Sequence, residues 1–327
     1  MKCKVTPFFN RVIAAFGATL LLIPLLDAQP PQMHRGPRLD ACGPGSKNRT
    51  KCPKYEFVTF DIPDGYYDTL FGINNDRLAV GWYYDSADNP TRVFSFLWRN
   101  GTEKQIESSS SSIVYFGDVN DRGLAFGTIG SADTQAAVFD VRRNTLTPLP
   151  DVPGKKVNQA MRMNNYGVGV GQACAGNWWT EEDQCIGWIW DGKAYSYVTL
   201  PGTDQPWTGP LAINDWNQVV GQYYDKDGAY HSYLQDHSRI VVLDVKGASS
   251  TYVNAINNFG EILLDGFFAG NANTNYIWKG GVLTPLPSFP SPDAVNTYAY
   301  GLNDHGDYCG RWYDAQGESH AFVAYRQ

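Results

Sequence analysis

Apolar and polar residues alternate in short runs along this chain, and the runs return with a regular period. GINNDRLAVG from Gly72, DVNDRGLAFG from Asp118, RMNNYGVGVG from Arg162, AINDWNQVVG from Ala212, AINNFGEILL from Ala255 and GLNDHGDYCG from Gly301 share one pattern. An alternating strand enters, an Asn-(Asn/Asp)-x-Gly turn follows, and a second alternating strand leaves. The first Asn of each copy is Asn74, Asn120, Asn164, Asn214, Asn257 or Asn303, at steps of 46, 44, 50, 43 and 46 residues. Steps of that size mark stacked or radial supersecondary units.

Each copy continues into a third strand, such as VFSFLW from Val93 or IGWIW from Ile186. A fourth follows, such as YSYVTL from Tyr195 or RIVVLDV from Arg239. Four short antiparallel strands per roughly 45 residues make a propeller blade. The pattern predicts an all-β fold, a six-bladed β-propeller with four antiparallel strands per blade. The rival β-solenoid would need shorter coils and parallel strands. The last copy stops at its third strand, SHAFVAYRQ, while YEFVTF from Tyr55 matches YSYVTL in character. An N-terminal strand is therefore expected to close the ring as the outer strand of the last blade.

The turn position three after the first Asn holds Gly123, Gly167, Gly260 and Gly306, or Asn217. These residues tolerate the left-handed backbone of such a turn. Arg77 stands there in the first copy, so a shifted turn is expected in that repeat. The paired Asn read as turn formers, since Asn and Asp side chains cap their own backbone.

The copies AINDWNQVVGQYYDKDGAYHSY from Ala212 and GLNDHGDYCGRWYDAQGESHAF from Gly301 resemble the HAF family of extracellular repeats, and the second contains His320-Ala321-Phe322. Only copies four and six keep the His (His231 and His320); Phe94 and Ile186 hold the equivalent place in copies one and three. The resemblance implies a secreted repeat protein and brings no catalytic residue with it.

The termini and cysteines agree with export. Lys2, Lys4 and Arg11 precede an apolar run from Val12 to Leu26, with Ala28 just beyond. This is the layout of a secretory signal peptide over 1–28, and the run is short for a membrane span of about 20 residues. An uncleaved N-terminal anchor is the alternative. Residues 29–54 read as a Pro/Gly-rich leader and 55–327 as the propeller. Cys42 and Cys52 bracket one polar loop, Cys174 and Cys185 another, and both pairs read as disulfides of an oxidising compartment. Cys309 lies inside an alternating strand and reads as a small buried hydrophobe. The mature chain is expected to be an extracellular monomer, or periplasmic in a bacterium, without a membrane span.

Composition narrows the function without naming it. The chain has 327 residues with 20 Tyr and 10 Trp, and a formal net charge of −7 that argues against a nucleic-acid partner. No nucleophile elbow, zinc-protease or phosphate-loop motif occurs. The five His lack metal-ligand spacing, and Asp225-Lys226-Asp227-Gly228 has no Glu at the twelfth place of a calcium loop. No metal or cofactor is implied, and the catalytic residues, if there are any, are unknown. The loops between second and third strands share one face and are rich in acids and aromatics. A ligand is expected there on Trp178, Trp179, Glu181, Glu182 and Asp183, with Trp207, Tyr224, Asp225, Trp312 and Asp314 contributing. The reading is a secreted, non-catalytic binding protein for an extracellular glycan or protein. The alternatives are a polysaccharide hydrolase or lyase, whose paired carboxylates no sequence spacing reveals, and a structural adhesion module.

Overall fold

The computed structural model describes residues 38–39, 53–62, 65–84, 93–106, 113–130, 133–176, 185–200, 208–269 and 273–327. Every motif copy forms the expected hairpin. In the first repeat, strands Tyr66–Ile73, Ala79–Tyr84, Val93–Arg99 and Thr102–Ile106 pair in sequence as an antiparallel meander. The meanders starting at Ile113 and Val157 repeat this order. They join the first one in a twelve-stranded sheet through single-residue parallel bridges, Val93 to Ile113 and Thr134 to Val157. The fourth repeat is a separate four-stranded sheet beginning at Thr208. The fifth, beginning at Ser250, gains Arg38–Leu39 as a parallel strand outside Val282–Pro285.

The last meander runs through Asn296–Leu302, Tyr308–Tyr313 and Ser319–Arg326 and then takes Tyr55–Phe60 as its outer strand. Phe57 faces Ala324 and Thr59 faces Phe322 in that register. The fold is thus an all-β propeller of four-stranded antiparallel blades, with the N-terminal strand seated where the sequence places it.

The core lies between neighbouring sheets, because each strand buries its alternate apolar residues against the next meander. Val80, Leu97 and Ile106 of the first repeat pack against Phe116, Val119 and Phe139 of the second. Ile73, Phe96 and Trp98 meet Cys309, Ala321 and Val323 of the last. The Gly that ends five motif copies sits where a Cβ would overlap an inner-strand carbonyl, as at Gly81 against Thr69 and Gly310 against Tyr298.

The first turn is not shifted. Arg77 adopts φ 59° and keeps the standard bonds, its N–H donating to Asn74 O at 3.0 Å and Leu78 N–H to Asn74 Oδ1 at 2.9 Å. A left-handed non-Gly residue costs about 1–2 kcal/mol. Here the guanidinium offsets that strain by reaching buried Asp307 at 2.9 Å and lying over the Tyr325 ring at 4.4 Å.

Cys174 and Cys185 form a disulfide, which fits an oxidising extracellular compartment. Cys309 is a free buried thiol pushed up to about 12 by burial. The proposed Cys42–Cys52 pair lies outside the described residues. No helix among those residues is long and apolar enough to cross a membrane.

Candidate functional site at the two ends of the propeller axis

The Asn turns gather around the axis and hold one another. Each first Asn donates from Nδ2 to the backbone carbonyl of the first Asn in the next repeat. The order is Asn74, Asn120, Asn164, Asn214, Asn257, Asn303 and back to Asn74, all at 3.0–3.1 Å. Turn chemistry is therefore only half of what these residues do; the other half is a closed belt between repeats.

The second turn residues make an inner ring in which amide and acid alternate: Asn75, Asp121, Asn165, Asp215, Asn258, Asp304. Each Asn uses both Nδ2 hydrogens, one on either neighbouring Asp Oδ2, at 2.8–3.0 Å. Each backbone N–H in the ring donates to the Oδ1 of the next side chain at 2.7–2.8 Å. Donors and acceptors balance in this order. Six carboxylates would repel, and six amides would leave donors in excess.

This rosette lines a shallow axial cavity of ≈ 70 Å³ whose lining also includes Asp118 and Arg162. The space suits a few waters, well short of the roughly 300 Å³ of a small-molecule pocket. Arg162 bars the channel here. Every inner strand carries a bulge one residue before the motif, at Phe71, Gly117, Met161, Leu211, Asn254 and Tyr300. Four of the bulged carbonyls accept from the single guanidinium. Nε donates to Asn254 O at 3.1 Å, Nη1 to Gly117 O at 3.3 Å, and Nη2 to Phe71 O at 2.9 Å and Tyr300 O at 2.6 Å. Asp118 Oδ1 completes the set at 3.0 Å from Nη1. Burial pushes the Asp118 carboxyl up, while Arg162 and the Met163 N–H hold it down.

At the other end of the axis, where the long loops emerge, aromatic rings form a continuous arc. It runs from Tyr224 and Tyr230 in the fourth repeat through Tyr252 and Phe267 to Tyr298, with successive centroids 5.3–6.2 Å apart. Tyr298, Tyr313, Tyr67, Trp82 and Tyr115 carry it into the second repeat. Arg311 is fully buried beneath it, 4.2 Å from the Tyr67 centroid and 5.1 Å from that of Tyr313. Tyr67 has φ 68°, a strained value for an aromatic residue, inside a bulge between Tyr66 and Thr69. Asp265, on the neighbouring blade, is pushed up to about 8 by burial, although Asn254 and Arg311 lower it.

The sequence-predicted ligand residues separate into groups. Trp178, Trp179, Glu181, Glu182, Asp183 and Trp207 lie outside the described residues. Tyr224 sits in the aromatic arc. Trp312 is almost fully buried, stacked 4.6 Å from Phe289 and 4.3 Å from His320, and its Nε1 donates to Thr59 Oγ1 at 3.0 Å.

Asp225 and Asp314 cap their own loop turns and hold the repeat His. Asp225 Oδ1 accepts from Asp227 and Ala229 N–H, and its Oδ2 lies 3.2 Å from His231 Nε2; Asp244 lies 2.6 Å from His231 Nδ1. His320 is held between Asp61 at 2.7 Å and Asp314 at 3.6 Å. The bond to Asp244, with Asp225 on the other ring nitrogen, raises His231 and favours its cation. The clamp therefore contributes fully below the unfolded His value near 6.5 and fades as pH rises through the raised native value. His231→Gln should lower the melting temperature most at pH 5 and least at pH 9. A gap that widens with pH would contradict this.

Among the described residues no group of three or more His, Cys, Asp or Glu side chains is arranged to hold a metal ion. No family model matches the chain, and no curated protein matches it by sequence. Its structure is similar to a gluconolactonase from Xanthomonas campestris, with a TM-score of 0.50 and 12% identity over 94% of this chain and 99% of that one. A structural-genomics target assigned as a gluconolactonase gives 0.50 and 13% over 84% and 92%. The fucose-specific lectin from Aleuria aurantia gives 0.47 and 10% over 84% and 95%. At these identities the first two likenesses establish the propeller scaffold alone.

Proposed function

We propose that the chain is a secreted six-bladed propeller built of HAF-type repeats that binds an extracellular glycan, without catalysis, on the face of its long loops. The observation that carries this reading is the aromatic arc. Tyr115, Tyr224, Tyr230, Tyr252, Phe267 and Tyr313 are each only partly buried at that end of the axis. Flat partly exposed rings offer stacking faces to the apolar side of a sugar, and loop carboxylates accept its hydroxyls. By sequence, Trp178, Trp179, Glu181, Glu182, Asp183 and Trp207 fall in loops of this same face, where they would extend the surface. Six motif copies, the closed belt of six Asn and the N-terminal outer strand support the blade count.

A glycan array on the purified mature protein tests the reading. Tyr252→Ala and the pair Trp178→Ala/Trp179→Ala should each weaken binding about tenfold or more. Full binding by all of these variants would remove the loop face as the site. One observation favours an enzyme instead: an Asp265 carboxyl raised to about 8 holds a proton at neutral pH, as a general acid must. Release of reducing sugar that is lost in Asp265→Asn would decide for that reading.

A further inference from the structure

The third position of the Asn turn makes no demand on its side chain. Its backbone N–H donates to the first Asn Oδ1, as Arg122, Tyr166, Trp216 and Phe259 all do at 3.0–3.1 Å. Asp76, Arg122 and His305 occupy this position in repeats one, two and six, and Tyr166, Trp216 and Phe259 in three, four and five. The three aromatics are 70%, 67% and 63% exposed. Two third-position side chains reach the carbonyl of the next turn, Trp216 Nε1 to Asn258 O and His305 Nε2 to Asn75 O, but neither that bond nor the core requires open ring faces in three consecutive repeats, and exposed aromatic surface of this kind marks a binding site.

From this we infer a second glycan-binding surface, on the Asn-turn end of the axis, for a neutral saccharide chain lying across repeats three to five. The turns that carry the rings are tied edge to edge through Asn165, Asp215 and Asn258, so the backbone positions from which the rings project are fixed relative to one another. Trp216 is also pinned, its Nε1 donating to Asn258 O at 3.0 Å, which fixes the indole before any ligand arrives. Beside the rings the rosette presents amide and carboxylate groups to the axial cavity. Pyranose rings have an apolar face for the aromatics and hydroxyls for those acceptors. Lys279, whose Nζ lies 5.8 Å from the Phe259 centroid, is paired with Glu261 at 3.5 Å, so the three rosette carboxylates set the local charge and disfavour an anionic chain at this site. The cavity is too small for a sugar ring, so the chain rests on the surface.

This surface is independent of the loop face, and variants can separate them. The probes are soluble β-glucan, xylan and galactomannan, measured by affinity electrophoresis and titration calorimetry on the mature protein. Trp216→Ala and Phe259→Ala should each weaken binding of at least one of these about tenfold, while the melting temperature falls by only a few degrees, the loss of the Nε1 bond in Trp216→Ala included. Trp216→Phe, which keeps a flat ring, should recover most of that loss. Binding to all three polysaccharides that is equal in wild type and Trp216→Ala overturns the inference, and leaves the loop-face reading standing if Tyr252→Ala has lost it. Absence of any binding by wild type overturns it as well. So does a wild-type dimer that Trp216→Ala dissolves, or wild type that floats with phosphatidylcholine vesicles and binds no polysaccharide, since the rings would then serve a second copy or a lipid surface.

Discussion

A variant lacking residues 55–62 is expected to aggregate, or to lose most of its thermal stability. The segment supplies the whole outer strand Tyr55–Phe60, paired from Tyr55 opposite Arg326 to Phe60 opposite Ala321. Phe60 stacks on Trp98 of the first repeat at 4.9 Å and 4°, and Phe57 packs edge-on to Phe289 at 5.5 Å. These are contacts to both neighbours of the closing blade. Full burial of a large apolar side chain contributes about 1.5–3 kcal/mol, so Phe57, Val58 and Phe60, each partly buried, together supply a substantial share of the roughly 5–15 kcal/mol that holds a typical domain together. The deletion would also bare the edge of Ser319–Arg326, whose Ala321–Ala324 core is buried, and a long unpaired apolar edge recruits other chains. Size-exclusion chromatography and calorimetry measure both effects. A deleted protein that stays monomeric with the wild-type melting temperature would show that the strand is dispensable.

Arg162→Met should cost about 3–5 kcal/mol, the range for removing one partner of a buried ion pair. Methionine replaces the aliphatic stem of the side chain but offers no donors to the carbonyls of Phe71, Gly117, Asn254 and Tyr300. Those carbonyls belong to bulges and have left the strand ladder, so they have no ready substitute. Asp118 would be left beside the channel without its counter-ion. Removing it too, in Arg162→Met/Asp118→Ala, should recover part of the loss, whereas Asp118→Ala alone should destabilise. Urea denaturation of the four proteins closes the cycle. A change below about 1 kcal/mol for Arg162→Met would mean that the bulged carbonyls are satisfied without it.

Much of the fold was legible because strand alternation, turn chemistry and a regular period all point to one architecture. The closing strand could be assigned from the likeness of YEFVTF to YSYVTL, and it pairs as that likeness requires. The turn at Arg77 was misread because local propensity ignores what a long side chain can reach. Asp307 lies 230 positions away in the chain and compensates the strain. Tertiary contact overrode propensity there.

The axial sites were harder to see for a different reason. The residue that opens each motif copy is Gly72, Asp118, Arg162, Ala212, Ala255 or Gly301, and one Arg among mostly small residues is a visible signal. It means nothing until a ring places all six around one channel. A Cβ on Gly72 would come within 2.6 Å of Asp118 Cα, so the small residues there make room for the hub. Tyr166, Trp216 and Phe259 carry little signal in the sequence, because these rings stand on the shortest turns, at a position whose residue type changes from copy to copy. Trp312 was drawn into the ligand set by its loop-end position, while alternation along its strand turns it into the core.

The rosette also constrains how this molecule could have changed its size. A ring in which amide and acid take turns has a parity: it closes without conflict on an even number of members. Gain or loss of a single repeat would set two carboxylates, or two amides, side by side at the seam, with charges repelling or donors unspent. Growth by duplicating a neighbouring pair, one Asn-Asn turn with one Asn-Asp turn, preserves the order. The smallest unit that can be copied or deleted without frustrating the ring is therefore two repeats, about twice the interval at which the motif returns.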